Sequence, residues 1–176
     1  MMRQYYIGMD LGGTNIKTAI FTAEFQKIAE NRTPTQADKG SDTVLFRMLC
    51  NIQDLISKAN VQTNEIIGIG IGVPGLLDVK NGISKFSPNF LNWQDVPVSR
   101  WFEKELDIPT FIDNDVRVNL YGEWHYGAGK GKNNVVLLTL GTGLGAGVIV
   151  DGHVLYGATG SVGEIGHMNM YRSGRP

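Results

Sequence analysis

The chain has 176 residues, of which 42% are hydrophobic and 19% charged, and its formal net charge is −1. This balance excludes a disordered chain, and because the sequence contains no run of like charges we expect no nucleic-acid partner. The single cysteine, Cys50, excludes an internal disulfide framework, and with no signal-peptide core or bilayer-length apolar run we expect a cytoplasmic protein with no membrane partner.

The first predicted elements are two short strands joined by a glycine turn, within Tyr5 to Phe21. Glycines at the turn can take a positive φ and let backbone N–H groups approach a phosphate closely. A hydroxyl and an ammonium group nearby add hydrogen-bond donors. The candidate phosphate-binding residues are Gly12, Gly13, Thr14, Asn15 and Lys17.

Asp10 ends the first of these strands, next to the glycine turn. A carboxylate there would repel a phosphate unless a cation lay between the two. The pattern therefore predicts Mg²⁺, bound by Asp10 directly or through water. An ordinary hairpin with a solvated aspartate is the alternative interpretation.

A strand, a loop and a helix follow in order. Gln26 to Arg32 is predicted to be the third strand, and residues 33–40 form a polar loop. Ser41 or Asp42 is predicted to cap a helix that runs to about Asn60, because apolar residues recur there at helical spacing. This helix is predicted to have a structural role and to pack its apolar side on a sheet.

The next predicted strand, Glu65 to Val73, contains glycines that match the dinucleotide-binding pattern G-x-G-x-x-G. That fingerprint requires a helix to begin within it. Here Pro74 interrupts the pattern, and a strand with an Asn-Gly turn follows. We therefore reject a dinucleotide site, and expect Pro74 and Gly75 to turn the chain at the carboxyl end of the strand, where open α/β sheets present ligand-binding groups.

The segment from Ile83 to Pro97 is predicted to be a loop, and it carries Asn89, Asn92 and Trp93. An asparagine side chain both donates and accepts hydrogen bonds, so this composition suits a hydroxyl-rich ligand. Ordinary surface loops have the same composition, and both interpretations stay open. A short helix, Ser99 to Leu106, is predicted next.

Two carboxylates flank an amide at the end of the following strand, which has the sequence P-T-F-I-D-N-D. Phosphoryl transfer to an alcohol needs a base near the attacking hydroxyl, and a carboxylate fixed at a strand end can accept that proton. Asp113 or Asp115 can instead cap the helix predicted from Val116 to His125.

A second segment of strand, glycine-rich turn and strand spans Val135 to Val150, after a predicted linker from Tyr126 to Asn134. Both hairpins place a threonine in a turn of small residues between buried strands, so two such hairpins facing each other could hold a polyphosphate. The candidate phosphate-binding residues of the second turn are Gly141, Thr142 and Gly143.

The last elements are a strand from Gly152 to Tyr156, predicted to extend this sheet, and the segment G-S-V-G-E-I-G-H. Glu164 and His167 are three residues apart and converge on a ligand if they share one helical turn. A histidine with a purely structural role is the alternative.

The order of these motifs, G-x-D-L-G-G-T-N-I-K, D-N-D, L-G-T-G-L-G-A-G and G-E-I-G-H, resembles the ROK family of bacterial sugar kinases and sugar-responsive repressors. The resemblance covers nearly the whole chain. It implies an α/β fold of the actin-like, ribonuclease H-like type, with a mixed β-sheet, flanking helices and two lobes around ATP and sugar. Residues 1–125 would form the amino-terminal lobe, and residues 126–176 would begin a second lobe that is incomplete.

The resemblance also assigns roles to residues. Asp115 matches the catalytic base of the family, and His167 matches a residue that binds zinc together with three cysteines, a cluster that this sequence does not contain. Zinc is therefore expected only in a longer form of the protein. The implied sugar-binding residues are Gly75, Asn89, Asn114, Asp115, Glu164 and His167.

The resulting prediction is an ATP-dependent and Mg²⁺-dependent kinase that phosphorylates glucose or a related hexose. These residues are expected to be the amino-terminal part of a longer, homodimeric enzyme, inactive as an isolated piece. A sugar-sensing regulator without catalysis is the main alternative. Polyphosphate as the donor stays open, and the E-I-G-H element argues against a more distant actin-like kinase or ATPase.

Overall fold

The computed structural model describes residues 4–141 and 143–168. The chain divides into two compact units, Met1–Asp115 and Val116–Pro176, and each is described by itself. The division into lobes at residues 125 and 126 stays a prediction. In the part of the chain that the structure describes, no helix is both long and apolar enough to cross a lipid bilayer.

The first unit is built on a mixed sheet of five strands with helices beside it. Its elements are, in chain order, β1 (Tyr5–Leu11), β2 (Asn15–Thr22), β3 (Lys27–Pro34), α1 (Ser41–Ala59), β4 (Ile66–Val73), β5 (Leu76–Asp78), β6 (Ile83–Phe86), β7 (Gln94–Val96), α2 (Val98–Leu106) and β8 (Thr110–Asn114). The strand order is β3-β2-β1-β4-β8. β1 runs antiparallel to β2 and parallel to β4, and β4 runs parallel to β8. The carboxyl ends of β1, β4 and β8 therefore lie at one edge.

Helix α1 packs its apolar side against β2 and β3, as predicted. The predicted capping by Ser41 or Asp42 is wrong, because the helix already begins at Ser41. Gly40 occupies the capping position with a φ of 88°, and no side chain caps the helix there. The buried residues of this side are Val44, Leu45, Met48, Leu49, Ile52, Leu55 and Ile56.

A second, small sheet interrupts the segment predicted to be a loop. β5, β6 and β7 form an antiparallel sheet in that order, so the prediction of a loop from Ile83 to Pro97 is wrong at both of its ends. Only the central stretch, which carries Asn89, has no regular structure. Strands of three or four residues are too short to give a periodic sequence signal.

The second unit contains a helix and an antiparallel sheet packed on it. Helix α3 (Asp115–Tyr126) begins at the boundary of the units, and β9 (Val135–Leu140), β10 (Leu144–Val150) and β11 (His153–Val154) follow. The strand order of the sheet is β11-β10-β9. A Cβ atom at Gly147 would lie 2.9 Å from Leu120 Cδ2, so glycine lets the helix approach the sheet closely. On the other side, the side chains of Val136, Leu138 and Leu140, here named the apolar β9 face, are 65%, 55% and 87% exposed.

Candidate active site

Two aspartates of the first unit lie in one row across its sheet. Asp10 on β1 pairs with Gly72 on β4, and Gly72 pairs with Asp113 on β8. Because neighbouring strands lie about 4.8 Å apart, the backbones of the two aspartates stand about 10 Å apart. Asp115 follows two residues later as the first residue of α3. The register thus brings the predicted magnesium-binding residue and the D-N-D segment to one edge of the sheet.

Asp10 also pairs with a residue on its other side. Lys17 lies opposite Asp10 on β2, and its Nζ is 3.4 Å from Asp10 Oδ2. Both side chains are about half exposed, at 60% for the lysine and 48% for the aspartate. A magnesium phosphate placed there would meet an ammonium group for a phosphate oxygen and a carboxylate for the cation.

The glycine turn between β1 and β2 is closed by a backbone hydrogen bond. The N–H of Gly12 donates to the carbonyl oxygen of Asn15 at 3.0 Å. Neither Gly12 nor Gly13 has a positive φ, so the expectation of left-handed glycines is wrong. Glycine is favoured at position 12 by space instead, because a Cβ atom there would lie 3.0 Å from the Asn15 oxygen.

A buried threonine that sequence reasoning missed donates hydrogen bonds to two carbonyl oxygens of this turn. The Thr35 hydroxyl donates to the Gly12 carbonyl oxygen at 2.6 Å, and the Thr35 N–H donates to the Thr14 carbonyl oxygen at 2.9 Å. Its side chain is fully buried. A threonine in a polar loop carries no sequence signal for such a role.

An open cleft of about 750 Å³ connects the glycine turn to the loop that carries Asn89. Its walls are residues 13–14, 36–38 and 88–92. A Cβ atom on Gly13 would lie 3.8 Å from Asn89 Cβ, and the Leu91 N–H donates to the Ala37 carbonyl oxygen at 2.9 Å. The structure therefore brings a predicted phosphate-binding residue and a predicted sugar-binding residue into the same cleft.

Trp93 and Gly75, two residues near this loop, have structural roles. Trp93 is 2% exposed, and its Nε1 donates to Ser84 Oγ at 2.8 Å, so the expectation that its ring meets a ligand is wrong. Gly75 has a φ of 93°, and a Cβ atom there would lie 2.2 Å from the Phe86 carbonyl oxygen. The turn onto β5 therefore requires glycine at position 75, and a sugar contact by Gly75 stays a prediction.

In the second unit, the predicted phosphate-binding turn joins β9 to β10. The Gly141 N–H donates to the Gly143 carbonyl oxygen at 3.0 Å. Thr142 lies outside the described residues. Phosphate binding by this turn stays a prediction.

Glu164 and His167 lie close to each other, at the start and end of a short 3-10 turn. Glu164 Oε2 is 3.8 Å from His167 Nε2, and both side chains reach solvent. The glycines beside them pack on β10, since a Cβ atom at Gly163 would overlap the Ala146 carbonyl oxygen and one at Gly166 would lie 2.5 Å from the Leu144 oxygen. The turn thus presents a carboxylate and an imidazole on one backbone held against the sheet.

Sequence reasoning also missed Arg117, which is 4% exposed in α3. Its Nη1 donates to the Gly160 carbonyl oxygen at 2.8 Å, and its guanidinium carbon lies 4.8 Å from the centre of the Tyr156 ring. The hydroxyls of Tyr121 and Tyr156 are 3.2 Å apart. These contacts connect α3 to the segment before Glu164.

The two predicted metals fit the described residues differently. Within residues 4–141 and 143–168, no three His, Cys, Asp or Glu side chains converge to hold a metal ion. Mg²⁺ keeps several waters and commonly takes one or two carboxylates plus substrate phosphates, so Asp10 fits it. A structural zinc needs about four protein ligands, and the described residues around His167 do not supply them.

Comparison with known proteins agrees with this arrangement. The profile of the ROK family matches residues 6–176. A glucokinase of Halalkalibacterium halodurans is 33% identical over 174 residues, which are 99% of this chain and 52% of that protein. A xylose repressor of Bacillus spizizenii is 34% identical over 168 residues, which are 94% of this chain and 42% of the repressor.

Among solved structures, the chain is similar to a ROK family glucokinase from Streptomyces griseus in complex with glucose and AMPPNP. The TM-score is 0.82 at 28% identity, and the match covers 95% of this chain and 51% of that one. This likeness confirms the actin-like α/β fold with a mixed sheet. The chain spans about half the length of the glucokinases that it matches. From its profile match and its relatives, the chain belongs to the ROK family.

Proposed function

We propose that this chain carries the base and the phosphate-binding turns of a kinase that transfers a phosphoryl group from ATP to a hexose hydroxyl. The observation that carries the proposal is the row of Asp10, Gly72 and Asp113, with Asp115 just beyond it. In this proposal, Asp10 serves the phosphates through a cation, and Asp115 accepts the hydroxyl proton. Both lie at the edge of the sheet where α/β folds bind ligands. The glucokinases among the relatives support the classes of donor and acceptor.

In the proposed reaction, Asp115 accepts the proton of the attacking sugar hydroxyl. The sugar oxygen forms a bond to the γ-phosphorus, and the bond from that phosphorus to the β–γ bridging oxygen breaks, which releases ADP. Asp115 stands at the first position of α3, where the helix dipole favours a negative charge.

Negative charge on the phosphates is offset by donors that the fold holds in place. The backbone amides of the glycine turns and the Lys17 ammonium group point hydrogen bonds at phosphate oxygens in this proposal. Asp10 is the residue proposed to hold Mg²⁺, which when bound neutralises phosphate charge. The described residues supply no zinc site, and no step of the proposal needs one.

The acceptor is proposed to be glucose or a related hexose. Amide, carboxylate and imidazole groups can each hydrogen-bond sugar hydroxyls, and Asn89 already lines the cleft beside the glycine turn. Cytoplasmic location stays a prediction from the composition of the sequence, and a homodimer stays a prediction from the family resemblance. The proposed sugar-binding residues are Gly75, Asn89, Asn114, Asp115, Glu164 and His167.

A coupled ADP-release assay tests the proposal on the product of the complete gene. Glucose, N-acetylmannosamine, fructose and mannose serve as acceptors, and a parallel assay with polyphosphate tests the donor. We expect turnover on at least one hexose that falls about 10²-fold or more in Asp115→Asn. Asp54→Asn, at an exposed position of α1 outside this row, is the matched control, because it makes the same change of charge. Equal turnover by the Asp115→Asn variant and the wild type would remove Asp115 as the base.

The similarity to a xylose repressor supports a second candidate, a sugar-responsive regulator. Such a protein would bind a sugar without transferring phosphate. Sugar binding measured by calorimetry, together with no ADP release on any of the four sugars, would favour this function over the kinase.

A further inference from the structure

We infer that Thr35 is a positioning residue that aims the amides of the glycine turn at the donor phosphates. The inference deepens the proposed function and rests on it. Thr35 holds two carbonyl oxygens of the turn, that of Gly12 through its hydroxyl and that of Thr14 through its N–H. The hydroxyl contact, at 2.6 Å, lies within the range of O–H···O hydrogen bonds.

Because the peptide bond is planar, these contacts also determine the direction in which neighbouring N–H groups of the turn point. In a trans peptide, the carbonyl oxygen and the N–H of the next residue point to opposite sides, and the described residues contain no cis peptide bond. With the oxygen of Gly12 drawn towards Thr35, the N–H group of Gly13 points away from it. Gly13 lines the open cleft. Thr35 thus fixes the face of the turn on which an anion finds its donors.

The segment that follows Thr35 is hydrogen-bonded to the other wall of the cleft. Ala37, two residues after Thr35, accepts a hydrogen bond from the Leu91 N–H at 2.9 Å. Leu91 belongs to the loop that carries Asn89. The segment of residues 35–37 therefore holds the glycine turn and the Asn89 loop together.

The chain offers a matched control for this role. Thr18, in the middle of β2, is 2% exposed, and its hydroxyl has no hydrogen-bond partner among the described residues. Replacing either threonine by valine keeps the shape of the side chain and removes its hydroxyl. Only at position 35 does that change release a carbonyl of the glycine turn.

The experiment compares the product of the complete gene with its Thr35→Val, Thr35→Ser and Thr18→Val variants. Amide hydrogen exchange of residues 12–15 and calorimetric binding of Mg²⁺–ATP are measured on each. For Thr35→Val we expect exchange in the turn about tenfold faster and binding about tenfold weaker, the equivalent of one lost hydrogen bond. Thr35→Ser should restore both, and Thr18→Val should match the wild type.

Exchange in the turn of Thr35→Val that equals the exchange in Thr18→Val would overturn the inference. Thr35→Ala deletes the same hydroxyl with a smaller side chain, so a packing defect of the valine variant does not decide the result. If none of these proteins binds Mg²⁺–ATP, the nucleotide part of the proposed function fails, while hydrogen exchange still decides whether Thr35 orders the glycine turn.

Discussion

Lys17 Nζ lies 3.4 Å from Asp10 Oδ2, across the paired strands β1 and β2. Because both side chains are about half exposed, an ion pair of this kind contributes only about 0–1 kcal/mol to the free energy of unfolding. The pair is a minor part of the stability of the sheet. In the proposed function, its position beside the glycine turn lets it meet the charge of the ligand.

Asp10→Asn and Lys17→Met should therefore separate binding from stability. We expect each variant to change the free energy of unfolding by less than about 1 kcal/mol, measured by urea denaturation. Each should weaken binding of Mg²⁺–ATP about tenfold or more, because a group that faces the cation or a phosphate oxygen is lost. Lys27→Met, in the exposed Lys27–Glu30 pair of β3, is the control that should leave binding unchanged. Unaltered affinity in both site variants would show that the pair is only a surface contact.

Gly75→Ala should destabilise the first unit through its backbone. The φ of 93° is strained for alanine, and the added Cβ atom would lie 2.2 Å from the Phe86 carbonyl oxygen. We expect a loss of roughly 2–4 kcal/mol in the free energy of unfolding. Gly152→Ala is the control, because Gly152 has a similar φ of 75° but open space around it, so only about 1–2 kcal/mol of strain is expected. Equal losses in the two variants would contradict the steric argument.

Arg117→Met should loosen the segment before Glu164. The substitution removes the hydrogen bond to the Gly160 oxygen and the contact with the Tyr156 ring, which together are worth about 1–3 kcal/mol. We expect faster hydrogen exchange in residues 157–163. Arg100→Met, at an exposed position of α2, should stay within about 0.5 kcal/mol of the wild type. Unchanged exchange in residues 157–163 would show that the arginine does not hold this segment.

The apolar β9 face predicts self-association of the 176-residue chain. In the described residues β9 is the outer strand of its sheet, and an exposed apolar edge strand is a template for pairing with another chain. Leu138→Lys should lower the mean mass measured by sedimentation at high micromolar concentration. Phe46→Lys, at a residue of α1 that is 62% exposed, should leave the mass unchanged. A wild-type chain that sediments as a monomer over the same range would count against this prediction.

Much of the fold could be predicted from the sequence, because long elements carry a periodic pattern. The apolar spacing of α1 and the β-branched run of β4 depend on the residues within those elements. The short strands β6 and β7 depend on partners elsewhere in the chain, so their own few residues gave no signal. The start of α1 was misplaced because a glycine, and not a polar side chain, precedes it.

The candidate site was predicted as separate motifs but not as an arrangement. The row of Asp10, Gly72 and Asp113 depends on the register of three strands, which spacing along one chain does not determine. Thr35 and Arg117 were missed for a related reason, since their partners are backbone oxygens, which every residue carries. Their roles became visible only with the fold in place.

The hydrogen bond from Leu91 to Ala37 uses only backbone atoms. A contact of this kind does not depend on the identity of either side chain, so the frame of the cleft can persist while the residues on it vary. Gln36, Asp38 and Asn92 line the cleft without contributing to that bond. Gln36 and Asn92 have positive φ angles of 56° and 53°, which bulky and β-branched residues disfavour, so Asp38 is the position where substitution carries the least risk to folding. If the proposed function holds, Asp38 is therefore the first position to vary when engineering a new acceptor specificity.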